Sequence, residues 1–337
     1  MHGFRLSIVA LCGMAVAGAG MARADTPVTI RAGFTVITSG YSPLLLEKKD
    51  LMPNFGKTYI LDPRHFQSTS LELTALATGE ADIVSIGYST FALAILNAHL
   101  DDIRIVADNN QDGKAGHKSV PFLVRNDGGI TRVEDLKGKV IATNGAGGAF
   151  DVAMRWMLRQ HHLDDKKDYN TVETDYANMG AMLIGRKADL IIAANPWALN
   201  PALREVSHTL FTAADAMGPS QMTMQASRTP FLDKNRAALM DFFTDAMASL
   251  RWFHDPANRD EAVTIVAKVS KQPREQLAQY LFTDQDPYSD PNLRPDLESL
   301  QRSVGVMREL GFIKDDVEVK KYVDLSFIDE ASRRLNK

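Results

Sequence analysis

Short β-branched runs alternate along this chain with segments of helical spacing. Residues 28–34 read V-T-I-R-A-G-F, an alternation of apolar and polar positions that is typical of a strand. A polar loop follows, and residues 43–49 have the pattern of a helix. The same order of strand, small-residue turn and helix then recurs, with further strands predicted at 58–61, 81–86 and 103–107. This alternation predicts an α/β fold with mostly parallel sheets and helices on both faces.

A second series of the same kind begins after a polar stretch. Residues 109–119 contain two glycines and no apolar period, so we predict a linker there. Strands are then predicted at 120–125, 140–143, 171–174 and 189–193. Residues 222–226 form another strand-like run, and from Pro230 onwards the pattern is almost wholly helical and ends in a polar tail.

The two series predict two lobes joined by a hinge of two crossing segments. We expect lobe I to comprise residues 25–112 and 224–337, and lobe II to comprise residues 113–223. Paired crossings between two lobes form a hinge, and the cleft between them is a natural ligand site.

The most informative turn follows the predicted strand at 140–143. It reads Asn144-Gly-Ala-Gly-Gly148, and helical spacing resumes at Phe150. A strand that ends in glycines and opens a helix presents unpaired backbone N–H groups, where an anionic or polar ligand can bind. An ordinary βα turn would explain a single example equally well, because glycine is favoured wherever φ is positive. Similar small-residue turns elsewhere in the chain favour a ligand site.

The first 24 residues have the pattern of a secretory signal peptide. His2 and Arg5 precede an apolar run, and Ala22-Arg23-Ala24 has the form of a cleavage site. Cleavage would remove Cys12, the only cysteine, so we expect no disulfide and no thiolate ligand in the product. We therefore predict an exported, periplasmic protein.

Composition and charge narrow the possible partners. The chain has 337 residues, of which 45% are hydrophobic and 24% charged, and its net charge is −4. An acidic balance argues against nucleic-acid binding, which requires a basic surface. The histidines lack a partner of ligand type at i+4, so we expect no metal and no cofactor. We expect a monomer that binds a small molecule.

Four motifs resemble those of a known family. They are A-L-A-T-G-E-A-D-I at 75–83, G-Y-S-T at 87–90, D-L-K-G-K at 135–139 and G-R-K-A-D-L-I-I-A-A-N-P at 185–196. Their order resembles the periplasmic substrate-binding proteins of ABC importers for nitrate, sulfonates and taurine, over residues 28–270. The resemblance implies a two-lobed type II binding-protein fold without enzymatic activity, which closes on one small molecule and delivers it to an ABC permease in the inner membrane.

The candidate ligand-binding residues come from the strand ends and from this resemblance. The resemblance implies Ser68, Thr69, Tyr88, Ser89, the turn 144–148 and Asn195. With the polar and aromatic residues at the other strand ends, the full set is Thr38, Ser39, Tyr41, Gln67, Ser68, Thr69, Tyr88, Ser89, Asn144, Ala146, Gly147, Gly148, Tyr176, Asn195 and Trp197.

These residues favour a planar organic anion as the ligand. Sulfonate binders tend to have a Gly-Ser-Ser turn where this chain has Ala146-Gly147-Gly148, so only backbone donors remain and an alkyl sulfonate is disfavoured. Aromatic side chains at strand ends favour a flat body, and turn N–H groups favour a carboxylate or sulfonate at its end.

Several alternatives stay open. The hydroxyl and amide residues would serve equally well as helix caps, and the aromatic residues as core. As an alternative to the organic anion, the ligand would be a neutral heteroaromatic such as a thiamine pyrimidine, or the chain an enzyme resembling the pyrimidine synthases of thiamine biosynthesis. A third alternative is a sensor that docks on a membrane receptor kinase instead of a permease.

Overall fold

The computed structural model describes residues 26–37, 41–117 and 120–336. The predicted signal peptide and the candidate residues Thr38 and Ser39 lie outside these ranges. The described part of the chain forms two five-stranded sheets, each covered by helices.

The first sheet belongs to lobe I and has the strand order β2-β1-β3-β10-β4. Its strands are β1 (Val28–Phe34), β2 (Tyr59–His65), β3 (Ile83–Gly87), β4 (Ile103–Asp112) and β10 (Ser220–Arg228). The helices between its first four strands are α1 (Ser42–Leu45), α2 (Thr69–Thr78) and α3 (Tyr88–Leu96).

The second sheet belongs to lobe II and has the strand order β7-β6-β8-β5-β9. Its strands are β5 (Pro121–Arg125), β6 (Val140–Thr143), β7 (Asn170–Glu173), β8 (Leu190–Ile192) and β9 (Ser207–Thr212). Its helices are α4 (Ala149–Gln160), α5 (Tyr176–Ile184), α6 (Pro201–Val206) and α7 (Ala213–Met217).

The last third of the chain returns to lobe I as helices. These are α8 (Thr229–Lys234), α9 (Arg236–Phe253), α10 (Arg259–Ser270), α11 (Arg274–Leu277), α12 (Leu297–Glu309) and α13 (Ser326–Leu335). Single 3₁₀ turns lie at Lys49–Leu51, Val133–Leu136, Trp197–Leu199, Pro256–Asn258 and Val319–Tyr322. Within the described ranges, none of the helices combines the length and the apolar character that crossing a membrane requires.

Each sheet is half parallel and half antiparallel. β1 runs parallel to β2 and β3, and β6 runs parallel to β7 and β8. β10 is antiparallel to β3 and β4, and β5 is antiparallel to β8 and β9. The predicted two-lobed α/β fold is confirmed. The expectation that its sheets are mostly parallel is wrong for the antiparallel half of each sheet. The reason is that β5 and β10 each follow a crossing between the lobes and so enter their sheet from the opposite end.

Three local predictions also need correction. β4 continues through residues 109–112, which are buried, so the first four of the eleven residues of the expected linker are strand. Its backbone pairs there with a neighbouring segment, and the N–H of Gln111 donates to the carbonyl of Tyr288 at 2.7 Å. Strand β9 has little apolar period and was not predicted. The expected polar tail contains α13, whose buried residues Phe327 and Ile328 pack in the same core as α9.

Candidate functional site

The carboxyl ends of the parallel strands meet across the gap between the lobes. Tyr88, the first residue of α3, donates a hydrogen bond from its Oη to the carbonyl of Ala149, the first residue of α4, at 2.7 Å. The N-termini of these two helices therefore face each other at the distance of one tyrosine side chain. Both helices begin after a glycine, Gly87 and Gly148, and neither receives a hydrogen bond from a capping side chain.

Lobe I also reaches across to the glycine turn of lobe II. A Cβ built on Gly147, which has a φ of +78°, would lie 3.3 Å from the ring of Phe312. The same ring lies 5.8 Å from the guanidinium of Arg155 in α4. Arg159, one turn further along, donates to the carbonyl of Glu309 at 2.7 Å. This side of the gap is therefore closed by direct contact between the lobes.

The backbone donors of the glycine turn already have partners. The N–H of Ala146 donates to Oε1 of Glu173 at 3.0 Å, and the N–H of Gly147 donates to Oδ2 of Asp151 at 2.8 Å. Asp151 is fully buried and also accepts from Nε of Arg155 at 2.8 Å. The expectation that this turn offers bare N–H groups is wrong at these two positions, because acidic side chains of lobe II occupy them.

Three aromatic residues form a stack at the strand ends of lobe II. The rings of Tyr176 and Trp197 stack with centroids 5.7 Å apart, and Phe150 meets Tyr176 edge-on at 6.2 Å. Phe150 follows β6, Tyr176 follows β7 and Trp197 follows β8. Trp197 is 40% exposed, so the stack is partly open to solvent. Burial raises the pKa of the Tyr176 hydroxyl, which is therefore neutral.

Some of the predicted hydroxyl residues of lobe I stabilise the starts of helices. Ser68 caps α2 by accepting a hydrogen bond from the N–H of Leu71 at 3.3 Å. The hydroxyl oxygens of Thr69 and Thr90 are 2.8 Å apart, which ties the start of α2 to the start of α3. Ser89 is buried beside Tyr88, whereas Gln67 is exposed.

Tyr41 and Tyr88 lie inside the protein. Tyr41 is buried, and its Oη lies 2.5 Å from Oγ of Ser289 and 3.2 Å from Nε2 of His254. Burial lowers the pKa of His254 to about 4, so the imidazole is neutral at physiological pH. Tyr88 is only 1% exposed, and its pKa is raised by burial and then by the charge of Asp151 across the gap. Both tyrosines act here as hydrogen-bonding core residues.

Asn195 lies at a second contact between the lobes. Its Nδ2 donates to the carbonyl of Gln285 at 3.0 Å. Both residues line a cavity of about 300 Å³ beside β5 and β9, together with Arg204 and His208. Asn144 is exposed at the start of the glycine turn. Of the predicted residues, Asn195 therefore lines the larger cavity and Tyr41 lines a smaller one next to α1.

The residues that hold the glycine turn were not predicted from the sequence. They are Asp151, Glu173 and Phe312, which contact residues 146 and 147. Asp151 is close to the turn in sequence, whereas Glu173 and Phe312 are far from it. An acid four residues after a glycine turn is a detectable signal, because side chains in the first turn of a helix reach back to preceding N–H groups. Within the described residues no group of three or more His, Cys, Asp or Glu side chains is arranged to hold a metal ion.

Known proteins share this fold. The chain superimposes on the aliphatic sulphonate binding protein SsuA from Escherichia coli with a TM-score of 0.67 and 18% identity, covering 89% of this chain and 92% of that one. It matches the nitrate-binding protein NrtA from Synechocystis PCC 6803 with a TM-score of 0.70 and 19% identity, covering 92% and 89%. The desulfurization enzyme DSZB matches with a TM-score of 0.66 and 13% identity, covering 92% of this chain and 99% of that one.

Sequence comparison gives two further matches. The curated nitrate/nitrite binding protein NrtA of Synechocystis is 22% identical over 178 residues, which is 53% of this chain and 38% of that protein's length. The model of the NMT1-like family matches residues 23–267. Since this match covers well over half of the chain, the protein belongs to the NMT1-like family.

Proposed function

We propose that this protein is the solute-binding component of an ABC importer, which captures a planar aromatic molecule between its two lobes. The stack of Phe150, Tyr176 and Trp197 beside the gap carries this proposal. The exposed part of the Trp197 indole offers an apolar aromatic surface, and a second ring gains stacking energy as well as burial there. The sulphonate-binding and nitrate-binding proteins named above have the same fold, which supports the assignment to this class.

The ligand is a neutral or cationic heteroaromatic rather than the anion predicted from the glycine turn. Glu173 and Asp151 bring carboxylates to the turn, and Asp165 pairs with Arg155 behind it at 2.6 Å. Carboxylates thus outnumber cations in this part of lobe II. An anion would have to displace Glu173 and remain close to Asp151, which costs Coulomb energy in a partly buried site.

An organic anion is the second candidate because of the helix N-termini. α3 and α4 lack side-chain caps and converge at the Tyr88–Ala149 hydrogen bond. Helix N-termini carry a partial positive charge that favours anions. The two candidates differ in charge alone, so one panel of ligands separates them.

Closure of the lobes is the signal that we propose for the permease. The chain crosses between the sheets after β4 and returns before β10. A ligand that stacks on lobe II and contacts lobe I favours the closed arrangement by its differential affinity. We propose an exported, periplasmic, monomeric protein that delivers its ligand to a permease in the inner membrane and catalyses no reaction.

A thermal-shift panel on residues 25–337 tests this function. The panel contains 2,4-diaminopyrimidine, pyrimidine, benzoate, benzenesulfonate, taurine and nitrate. We expect the melting temperature to rise with the aminopyrimidine, because a ligand that binds only the folded state stabilises it. Trp197→Ala should weaken that binding roughly tenfold through loss of the stacking face. A shift with benzoate or benzenesulfonate alone would select the anion, and no shift with any aromatic compound would refute the proposal.

A further inference from the structure

A buried acid lies at the strand ends of lobe I, outside the aromatic stack. Glu72, in the first turn of α2, is completely buried. Its Oε2 accepts a hydrogen bond from the backbone N–H of Ser85 at 2.6 Å. Its Oε1 is buried and has no hydrogen-bond partner in the part of the chain that the structure describes.

The position of this carboxyl follows from the sheet topology. β1 pairs with β3 at Ala32 and Ile83, and this pairing extends no further among the described residues. Beyond this pair the N–H of Ser85 is left for Glu72. β2 and β3 lie on opposite sides of β1, so the order in which strands are added to the sheet reverses at β1. Such a switch point, at the carboxyl ends of parallel strands, is where open α/β sheets bind ligands.

A second unpaired oxygen belongs to the same cluster. Asn109 in β4 donates from its Nδ2 to Oγ of Ser85, and its Oδ1 is buried without a partner in the described ranges. Ser85 therefore orients both side chains, Glu72 through its N–H and Asn109 through its hydroxyl. We call Glu72, Ser85 and Asn109 the acceptor cluster.

Gly33 provides the space that the carboxyl occupies. A Cβ on Gly33 would lie 3.0 Å from Oε2 of Glu72 and 3.1 Å from Cγ1 of Val84, distances that real Cβ atoms rarely show. The ring of Phe66 lies 3.3 Å from the same point and is half-buried. The end of β1 is thus adapted to bring the carboxyl between the strands.

An acceptor that is buried without a donor destabilises a folded protein by roughly 1–3 kcal/mol. Native structures contain few such groups, and each calls for an explanation. Two unpaired oxygens around one serine, at the switch point and one helical turn below Thr69, point to missing hydrogen-bond partners. The ligand is the natural source of those partners.

We propose that Glu72 and Asn109 recognise the donor edge of the ligand, a planar heterocycle that carries an amino group beside a basic ring nitrogen. This assignment rests on the proposed function and specifies its ligand. The amino group donates to Oδ1 of Asn109, and the ring nitrogen pairs with Oε1 of Glu72. The ring of Phe66 turns aside to admit this edge.

The protonation state of Glu72 suits this partner. Burial raises the pKa of its carboxyl to about 8, although the hydrogen bond from Ser85 opposes the shift. The free protein therefore holds a proton on this carboxyl at neutral pH. On binding, that proton passes from Glu72 to the basic ring nitrogen, which leaves an N–H⁺ donor facing a carboxylate. Such charge-assisted hydrogen bonds are about twice as strong as neutral ones.

Glu72→Gln tests the assignment by changing selectivity. The oxygen of the new amide takes over the hydrogen bond from Ser85, so its NH₂ group faces the ligand in place of an acceptor. We expect the affinity ratio of 2,4-diaminopyrimidine to pyrimidine, measured by equilibrium dialysis on residues 25–337, to fall at least tenfold. Asn109→Leu should lower the same ratio. Glu80→Gln, the same change at an exposed site just after α2, should leave the ratio unchanged.

The outcomes separate this assignment from the proposed function. A folded Glu72→Gln protein that keeps the wild-type ratio overturns it, and if that variant does not fold, an unchanged ratio in Asn109→Leu overturns it. A wild-type protein that binds other aromatic compounds but not 2,4-diaminopyrimidine refutes the donor edge and leaves the function standing. Binding of no aromatic compound refutes both.

Discussion

The two lobes differ in what their strand ends present. In lobe II, the N–H groups of Ala146 and Gly147 are satisfied by Glu173 and Asp151, although Oγ1 of Thr143 and Oδ1 of Asp151 are buried and unpaired in the described ranges, and the surface on offer is an aromatic stack. In lobe I, the strand ends are poor in open aromatic surface and contain two unpaired buried oxygens, on Glu72 and Asn109. The difference indicates a division of tasks in which lobe II supplies stacking and lobe I reads the polar edge.

The buried acids of the two lobes also differ in their partners. Asp151 accepts two hydrogen bonds at Oδ2, from Gly147 and Arg155, although its Oδ1 is unpaired in the described ranges, whereas Glu72 accepts one, from Ser85. Both side chains are buried. A buried carboxyl group without a cation beside it tends to keep its proton.

The largest effect should come from the structural acid of lobe II. Asp151→Ala removes one of the two carboxylates that pair with a buried arginine and the acceptor of the Gly147 N–H, so we expect the free energy of unfolding in urea to fall by about 3 kcal/mol. Glu173→Ala is the matched change at the same turn. Because Glu173 is exposed, its loss should cost less than about 0.5 kcal/mol. Equal costs would contradict the assignment of Asp151 as the structural acid.

The buried acids of lobe I should make stability depend on pH. Burial raises the pKa of Glu72 to about 8 and the pKa values of Asp108 and Asp286 to about 7. The folded state therefore keeps protons that the unfolded chain has lost above about pH 4–5. Stability is present at low pH and is lost as pH rises towards these raised values, by about 1.4 kcal/mol per pH unit for each group that stays protonated in the folded state.

Urea denaturation at a series of pH values measures this loss. Glu72→Gln has no carboxyl to ionise, so its stability should fall less steeply between pH 6 and 9 than that of the wild type. Parallel curves for the two proteins would show that Glu72 is not protonated in the folded state.

The contact between the lobes should be worth less. Tyr88→Phe removes the hydrogen bond to the Ala149 carbonyl and keeps the ring, so we expect a loss of about 1 kcal/mol. The same loss should shift the lobes towards an open arrangement. Small-angle scattering of the ligand-free protein would then give a larger radius of gyration than for the wild type, and an unchanged radius would argue against this hydrogen bond as a lobe contact.

The smallest effect on stability should come from the stack itself. Trp197 is partly exposed, so Trp197→Ala should lower the melting temperature only slightly, by a stacking loss of about 1 kcal/mol or less. Its effect on aromatic ligands should be larger than its effect on folding. A variant that loses several kcal/mol of stability would show that Trp197 belongs to the core.

Periodicity predicted the fold well where each segment carries its own signal. The strands at 28–34 and 140–143 and the capping role of Ser68 follow from local pattern, because burial on alternate positions and helix capping are short-range effects. Direction within a sheet is not local. β5 and β10 look like other strands in the sequence, and only the crossings between the lobes make them antiparallel.

For the candidate site, local pattern shows which residues end the strands, and hence that glycines, hydroxyls and aromatic rings gather there. It does not show which of them face outward: Tyr41 and Tyr88 are buried, while Trp197 is partly exposed. The positions of the carboxylates in the turn of lobe II, and the contact of Glu72 with Ser85 between two diverging strands, arise only in the folded chain. Long-range contacts pair groups that no sequence spacing relates, and so partners and protonation depend on the folded chain.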